Sequence, residues 1–318
     1  MTLATPGIHH VTSIVGDPQR DIDFYTTVLG LRLLKVTVNF DRPETYHLYF
    51  GDQHGTPGTI LTTFPWPGDR QGTIGTGQIT TTSFAIPEGS TGYWLERLMQ
   101  HRVATHGPFR RFDEQVVRFQ DPDGLVCELV SRPSETTTNV RNGTVEQTQA
   151  IIGFSGVTLA SRQPERTAEV LTDLLGFRHM GESDRINRFV AGTSMLGSIV
   201  DLVVDAEGTQ GTEGPGTVHH VAFRTRDDAE QLEWREQLIA AGMHVTEVRD
   251  RSYFKSIYFR EPGGILFEIA TDPPGFTLDE PLDQLATGIR LPPWYEDRRG
   301  EIEPGLKSIQ LPSGITVP

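Results

Sequence analysis

A single cysteine, Cys127, stands in 318 residues, which excludes an internal disulfide framework and suits a reducing compartment. Long apolar runs are also missing; no stretch approaches the roughly 18 residues that a membrane span needs. Positive charge is scarce. Twenty-eight Lys and Arg face 42 Asp and Glu, for a net charge of −14 at pH 7. A chain this acidic repels phosphate backbones and anionic headgroups, so nucleic acid and membrane are not expected as partners. The opening "MTLATPGIHH" has neither the basic nor the apolar stretch of a secretory leader. The expectation is a cytoplasmic protein that acts on small molecules.

Glycine and proline, by contrast, are plentiful, at 33 and 21 residues spread along the chain, and suit many short strands joined by turns. Histidine is clustered. Four of the ten histidines fall in two pairs, "GIHHVTS" (7–13) and "TVHHVAF" (217–223). Longer blocks also recur. "DFYTTVLGLRLL" (23–34) returns as "EVLTDLLGFRHM" (169–180), with Leu29-Gly30 matching Leu175-Gly176, 146 residues on. "DPDGLVCEL" (121–129) returns as "EPGGILFEI" (261–269), 140 residues on. Two repeated blocks in the same order mark a duplication, with halves at about 7–131 and 152–272. The polar stretch between them reads as a linker.

Each half divides again. Residues 7–13 alternate like a strand, and the following segment has helical spacing up to a C-cap at Gly30. Extended segments follow at 31–40, 45–50 and 58–64. The next quarter repeats the order, with a strand at 79–86, a helix at about 90–101 and strands near 103–106, 115–120 and 125–131. "DPDG" and "EPGG" close hairpins. The chain therefore reads as an α+β protein of four β-α-β-β-β units paired into two domains. The expected divisions are an N-terminal domain at 1–135, a linker at 136–150, a C-terminal domain at 151–275 and a tail at 276–318. The tail is expected to pack over the C-terminal domain with few apolar anchors. "GDRQGTIGTG" (68–77) lacks the strand-loop-helix setting of a nucleotide motif and reads as a flexible loop at a pocket edge.

Four such units, with a His on a first strand and a Glu on a last strand, resemble the vicinal oxygen chelate superfamily of glyoxalase I, bleomycin-resistance proteins and extradiol dioxygenases. In that superfamily the units form curved sheets whose concave face holds a metal, which allows ligand positions to be compared unit by unit. The first-strand position holds His10 in unit one, Thr81 in unit two, Gly156 in unit three and His220 in unit four. The last-strand position holds Thr62 or Thr63, Glu128, Asp201 and Glu268 respectively. Pairing units one and four collects His10, His220 and Glu268, a two-His-one-carboxylate set that leaves coordination positions open. Pairing units two and three collects no imidazole, and Glu128 reads as a structural relic of the duplication. The other histidines (47, 54, 101, 106, 179 and 244) read as ordinary residues of loops or helix faces. Adjacent side chains on a strand point to opposite faces, so one member of each doublet is expected to face the metal. His9 and His219 would then lie beside the site, near the pocket rim or the seam between domains.

Within the superfamily the sequence is most similar to the (chloro)hydroquinone 1,2-dioxygenases. That resemblance implies Fe(II) as cofactor, with Mn, Ni or Zn able to occupy the same ligands in purified protein. It implies a small aromatic substrate and O2 as partners, and ring opening beside a hydroxylated carbon. His9, Thr12, His219, Arg251 and Tyr258 match positions that line the active site in that group. Arg251 would stabilise negative charge, and Tyr258 or a doublet histidine would move protons. The hairpin around residue 263 sets Tyr258 across from Glu268. Two other readings stay open: a glyoxalase-type isomerase or lyase, which wants a fourth protein ligand where unit one offers Thr, and a metal-free binding or resistance protein. A homo-oligomer is compatible with the sequence.

Overall fold

The structure, a computed structural model, describes residues 3–133, 144–193, 196–204 and 208–318. The expected linker falls partly outside these residues, up to position 143. The four units are present in order. Unit one comprises β1 (Ile8–Val15), α1 (Pro18–Asp23), β2 (Arg32–Asn39), β3 (Arg42–Gly51) and β4 (Ile60–Pro65). Unit two follows with β5 (Gln78–Pro87), α2 (Thr91–Gln100), β6 (Thr105–Arg111), β7 (Glu114–Gln120) and β8 (Val126–Arg132). Unit three has β9 (Gly153–Ser161), α3 (Pro164–Glu169), β10 (Arg178–Ser183), β11 (Ile186–Val190) and β12 (Ile199–Val204). Unit four closes with β13 (Thr217–Thr225), α4 (Asp228–Ala240), β14 (Arg249–Asp250), β15 (Lys255–Arg260) and β16 (Leu266–Thr271).

The duplication is visible in backbone detail. Helix α1 widens into a π-helical turn at Phe24–Val28, and α3 does the same at Val170–Leu174. Both turns end on a glycine with positive φ, Gly30 at 73° and Gly176 at 76°. Only a residue without Cβ takes that conformation cheaply. α1 begins at Asp17, whose carboxylate accepts from the Gln19 and Arg20 amides, with Pro18 at the first turn.

The strands form two eight-stranded sheets of order β14-β15-β16-β13-β1-β4-β3-β2 and β10-β11-β12-β9-β5-β8-β7-β6. Each is a curled half barrel, and each takes one unit from either half of the chain: units one and four share the first sheet, units two and three the second. The grouping of candidate ligands by units one and four is therefore the grouping of the hydrogen bonds. A large apolar core fills the space under the helices, with Trp94, Trp234, Phe84 and Phe154 fully buried in it. A smaller cluster of Leu34, Tyr49, Tyr253, Phe254, Phe276 and Leu285 lies apart from it.

The tail differs from expectation. It runs along unit one: Ile289 bridges Val36, Tyr295 Oη donates to the Phe40 carbonyl at 2.9 Å, and Lys307 pairs with Asp17. Fully buried Lys35 on β2 fastens it through Asp279 (2.6 Å) and Glu280. Its apolar anchors, among them Phe276, Ile289, Leu291, Ile302 and Ile309, are buried one at a time and so carry no sequence period. The 68–77 segment is tied down by bridges from Thr73 to Thr212 and from Thr76 to Gln210. Among the described residues no helix is long and apolar enough to cross a membrane.

Candidate metal centre

The seam between β1 and β13 carries both histidine doublets. These strands pair antiparallel, Thr12 opposite His220 and His10 opposite Ala222, and β16 runs parallel to β13 with Glu268 beside Ala222. The register slips twice. Ile8 pairs with Phe223 while His10 pairs with Ala222, which leaves His9 as the extra residue of a bulge. Thr12 pairs with His220 while Ser13 pairs with Val218, which makes His219 the extra residue of the other. A β-bulge re-aims a side chain in this way. The second sheet slips at the matching places on β5 and β9, around Thr80 and Ser155.

His9 and His219 lie beside the His10–His220–Glu268 cluster, and the bulges overturn only the expected split of each doublet between opposite faces. Neither points away from its neighbour: His9 Nδ1 lies 2.9 Å from His10 Nδ1, and His219 Nδ1 lies 2.7 Å from His220 Nδ1. Strict alternation would forbid both contacts, and the extra residue removes strict alternation. The remaining ring nitrogens of His10 and His220 turn inward. Their Nε2 atoms are 3.3 Å apart, and Glu268 Oε2 sits 2.8 Å from that of His220 and 3.4 Å from that of His10. All three side chains are buried, and Glu268 Oε2 has no hydrogen-bond partner of good geometry. Three lone-pair atoms converging in this way fit one cation. Bonds of about 2.1 Å at right angles would space the ligand atoms at about 3.0 Å.

The electrostatics favour an ionised Glu268 and a neutral His220. Burial opposes ionisation of Glu268, yet His10 and His220 beside it hold its carboxyl well below the usual range. Burial lowers His220, with Glu268 pulling the other way. Burial and His10 hold His9 well below the usual imidazole value, and burial with His220 pushes His219 down to about 3. Both supporting rings are thus neutral at pH 7. Ser256 donates to the other Glu268 oxygen and fixes the carboxylate plane.

Above these three side chains lies a cavity of about 190 Å³, lined by Thr12, His47, Phe64, His219, Arg251, Phe254 and Tyr258 among others. Tyr258 pairs with Glu268 across the hairpin, as the turn around residue 263 predicts. Arg251 Nε donates to Tyr258 Oη at 3.1 Å, and its Nη2 reaches Asp41 at 2.8 Å on the β2–β3 turn. Burial first, and Glu268 second, push the Tyr258 phenol above its ordinary value. Thr12 Oγ1 lies 2.8 Å from Thr62, the residue at unit one's vacated ligand position.

Several residues of the site were not foreseen. His47, read as ordinary, is buried on β3 and faces the cavity; His106 and His179, likewise assigned to loops or helix faces, lie on strands. A lone His in "TYHLYF" has the pattern of a core strand and no repeat partner. Asp41 and Phe254, whose ring lies 4.8 Å from that of His10, come from turns without a motif.

The equivalent place in the second sheet is filled differently. Glu128, fully buried, accepts from Arg111, Arg118 and Ser83, while Asp201 takes a two-pronged bond from Arg188 at 2.7 and 2.8 Å. Arginines neutralise the two carboxylates there. A histidine at position 156 has no room, since a Cβ would lie 2.2 Å from the Ile199 carbonyl oxygen.

Comparison with known proteins agrees with this organisation. The profile of the Glyoxalase/Bleomycin resistance protein/Dioxygenase superfamily matches residues 7–129 and 153–269. The chain is 49% identical over 98% of its length to the Bacillus subtilis (strain 168) protein named "Putative ring-cleaving dioxygenase MhqO", covering 99% of that protein. It is 32% identical to the chlorohydroquinone/hydroquinone 1,2-dioxygenase of Sphingobium indicum, over 93% of this chain and 94% of that one. A crystal structure of a dioxygenase, so titled with the qualifier "putative", from B. subtilis superposes with a TM-score of 0.94 at 47% identity, covering 98% of this chain and 99% of that one. Glyoxalase I from Zea mays, at 18% identity and a TM-score of 0.64 over 88% of this chain and 96% of that one, shares the fold alone.

Proposed function

This chain belongs to the Glyoxalase/Bleomycin resistance protein/Dioxygenase superfamily, and on that premise we propose that it is an Fe(II)-dependent ring-cleaving dioxygenase. Its substrates in this reading are hydroquinone-type aromatics, chlorinated ones included, and O2 is inserted beside a ring hydroxyl. The observation that carries the reading is the buried His10–His220–Glu268 triangle, which offers three donors and leaves the cavity side open. Bound iron would supply Lewis acidity and electron transfer between ring and oxygen.

The chain's own residues do the rest. His9 and His219, by bonding Nδ1 of the ligand imidazoles, fix each ring's orientation and leave Nε2 for the metal. Arg251 places a permanent cation at the cavity wall, where negative charge on a ring oxygen would be stabilised. Tyr258, held protonated by burial and aligned by Arg251, faces the cavity as a phenol able to donate a proton to a substrate oxygen. Phe64, Phe254 and Trp66 give the cavity an apolar wall for a single ring and limit water. A glyoxalase-type reading is weaker, because the fourth ligand position holds Thr62, which is already bonded to Thr12 and His47.

The test is anaerobic loading with Fe(II), followed by oxygen uptake on a panel of substituted hydroquinones and catechols. Uptake with hydroquinones in preference to catechols is expected. No uptake with any of them refutes the reading.

A further inference from the structure

Four buried side chains outside the ligand triangle form one unbroken chain beside the cavity. Tyr49 Oη lies 2.9 Å from His47 Nδ1, His47 Nε2 lies 3.0 Å from Thr62 Oγ1, and Thr62 Oγ1 lies 2.8 Å from Thr12 Oγ1. Thr12 and His47 line the cavity. Each link could run in either direction, and the far end decides which. Tyr49 is fully buried among the rings of Tyr253, Phe254 and Phe276. Among the described residues, His47 is the only hydrogen-bond partner of its hydroxyl. A Tyr49 that merely accepted would leave a buried O–H unmatched, which burial penalises.

Tyr49 therefore donates to Nδ1. A neutral imidazole has one N–H, which must then be on Nε2 and is given to Thr62. The Thr62 hydrogen goes on to Thr12, and the Thr12 hydrogen is left for the cavity. Burial, with His10 next in effect, holds His47 well below the usual imidazole value, and burial holds Tyr49 well above the usual phenol value. Both stay in the neutral forms that this direction requires.

We propose that His47 and Tyr49 are positioning residues that commit the Thr12 hydroxyl to donating a hydrogen bond to an oxygen atom held in the cavity. That oxygen belongs to the phenolate or to O2, a point that rests on the ring-cleavage reading. A donor whose direction is fixed in advance loses nothing to reorientation when negative charge arrives.

The first measurement needs no turnover: the ¹⁵N shifts of His47 report its tautomer in the Zn(II)-loaded protein. An Nε2–H ring in the wild type, with that preference lost in Tyr49→Phe, supports the proposal; an Nδ1–H ring overturns it. The second uses 4-nitrophenol binding to the same Zn(II) protein. Thr12→Val should weaken it about tenfold and Tyr49→Phe several-fold. Adding Tyr49→Phe to Thr12→Val should then change nothing further, because Tyr49 acts only through Thr12. Effects that multiply in the double variant overturn the proposal. With iron and a hydroquinone, the single variants should lose kcat more than KM. If the wild type itself consumes no oxygen, the ring-cleavage reading fails, and the tautomer and the double variant still decide the relay.

Discussion

His10, His220 and Glu268 each present one bare atom inward because every other polar atom on them is already taken. Nδ1 of each imidazole is bonded to its doublet partner, and the second carboxylate oxygen of Glu268 is bonded to Ser256. The three remaining atoms repel one another unless a cation joins them. Removing one should therefore abolish binding. Glu268→Ala is expected to lower bound metal from about one equivalent to under a tenth, by elemental analysis after dialysis, with the far-ultraviolet spectrum unchanged. Full occupancy in that variant would place the metal elsewhere. At this scale the sequence was legible where a residue type was repeated in an informative setting. The paired doublets and the two "D/E-P-x-G" hairpins led to the three side chains that converge in the fold and, through register, to Tyr258 opposite Glu268. His47, Asp41 and Phe254 were not legible, since nothing local separates a histidine in an apolar strand from an ordinary core residue.

The elements were read well because strand alternation, helical spacing and glycine ends recur between the halves at two close offsets, 146 and 140 residues, and the structure keeps them together with the π-helical turns. The bulges were not readable: an extra residue in a strand has no composition of its own, and without it the doublets are wrongly split between faces. One element carries a pH response. The "DPDG" turn before β8 is organised by Asp121, which accepts from the Asp123 and Leu125 amides at 2.9 and 2.8 Å and from Tyr25 Oη at 3.1 Å. Burial raises its carboxyl to about 7 against the backbone bonds that favour the charge, and Asp123 adds to the rise. The folded state therefore holds a proton that the unfolded chain, titrating near 3.9, has released. Stability is greatest below the unfolded value and is lost as pH rises to about 7. Asp121→Asn keeps the acceptor and removes the titration. Between pH 5 and 8 its unfolding free energy should gain about 2 kcal/mol on the wild type, by urea titration at each pH. A constant difference would show that Asp121 titrates alike in both states.

Across the whole molecule, the two sheets are versions of one design that solve the same problem oppositely. One gathers two histidines and a carboxylate in the hollow of a curled sheet and leaves room for a metal; the other gathers two carboxylates and supplies Arg111, Arg118 and Arg188. The second solution is structural, and breaking it should cost stability without touching the first. Arg111→Met is expected to destabilise the fold by about 3 kcal/mol in chemical denaturation while metal content stays at the wild-type level. A loss below about 1 kcal/mol would mean that Arg118 and Arg188 suffice. Because the first sheet joins the opening unit of the chain to the closing one, its metal centre also has a place in time. His10 and His220 are 210 residues apart in the chain yet 3.3 Å apart in the fold. A ribosome that has delivered the whole first half has made one of the three ligands, and the set is complete only with Glu268. During synthesis the exposed β1 edge must wait for a strand that does not yet exist, so a truncated product cannot assemble this cluster or a metal site built on it.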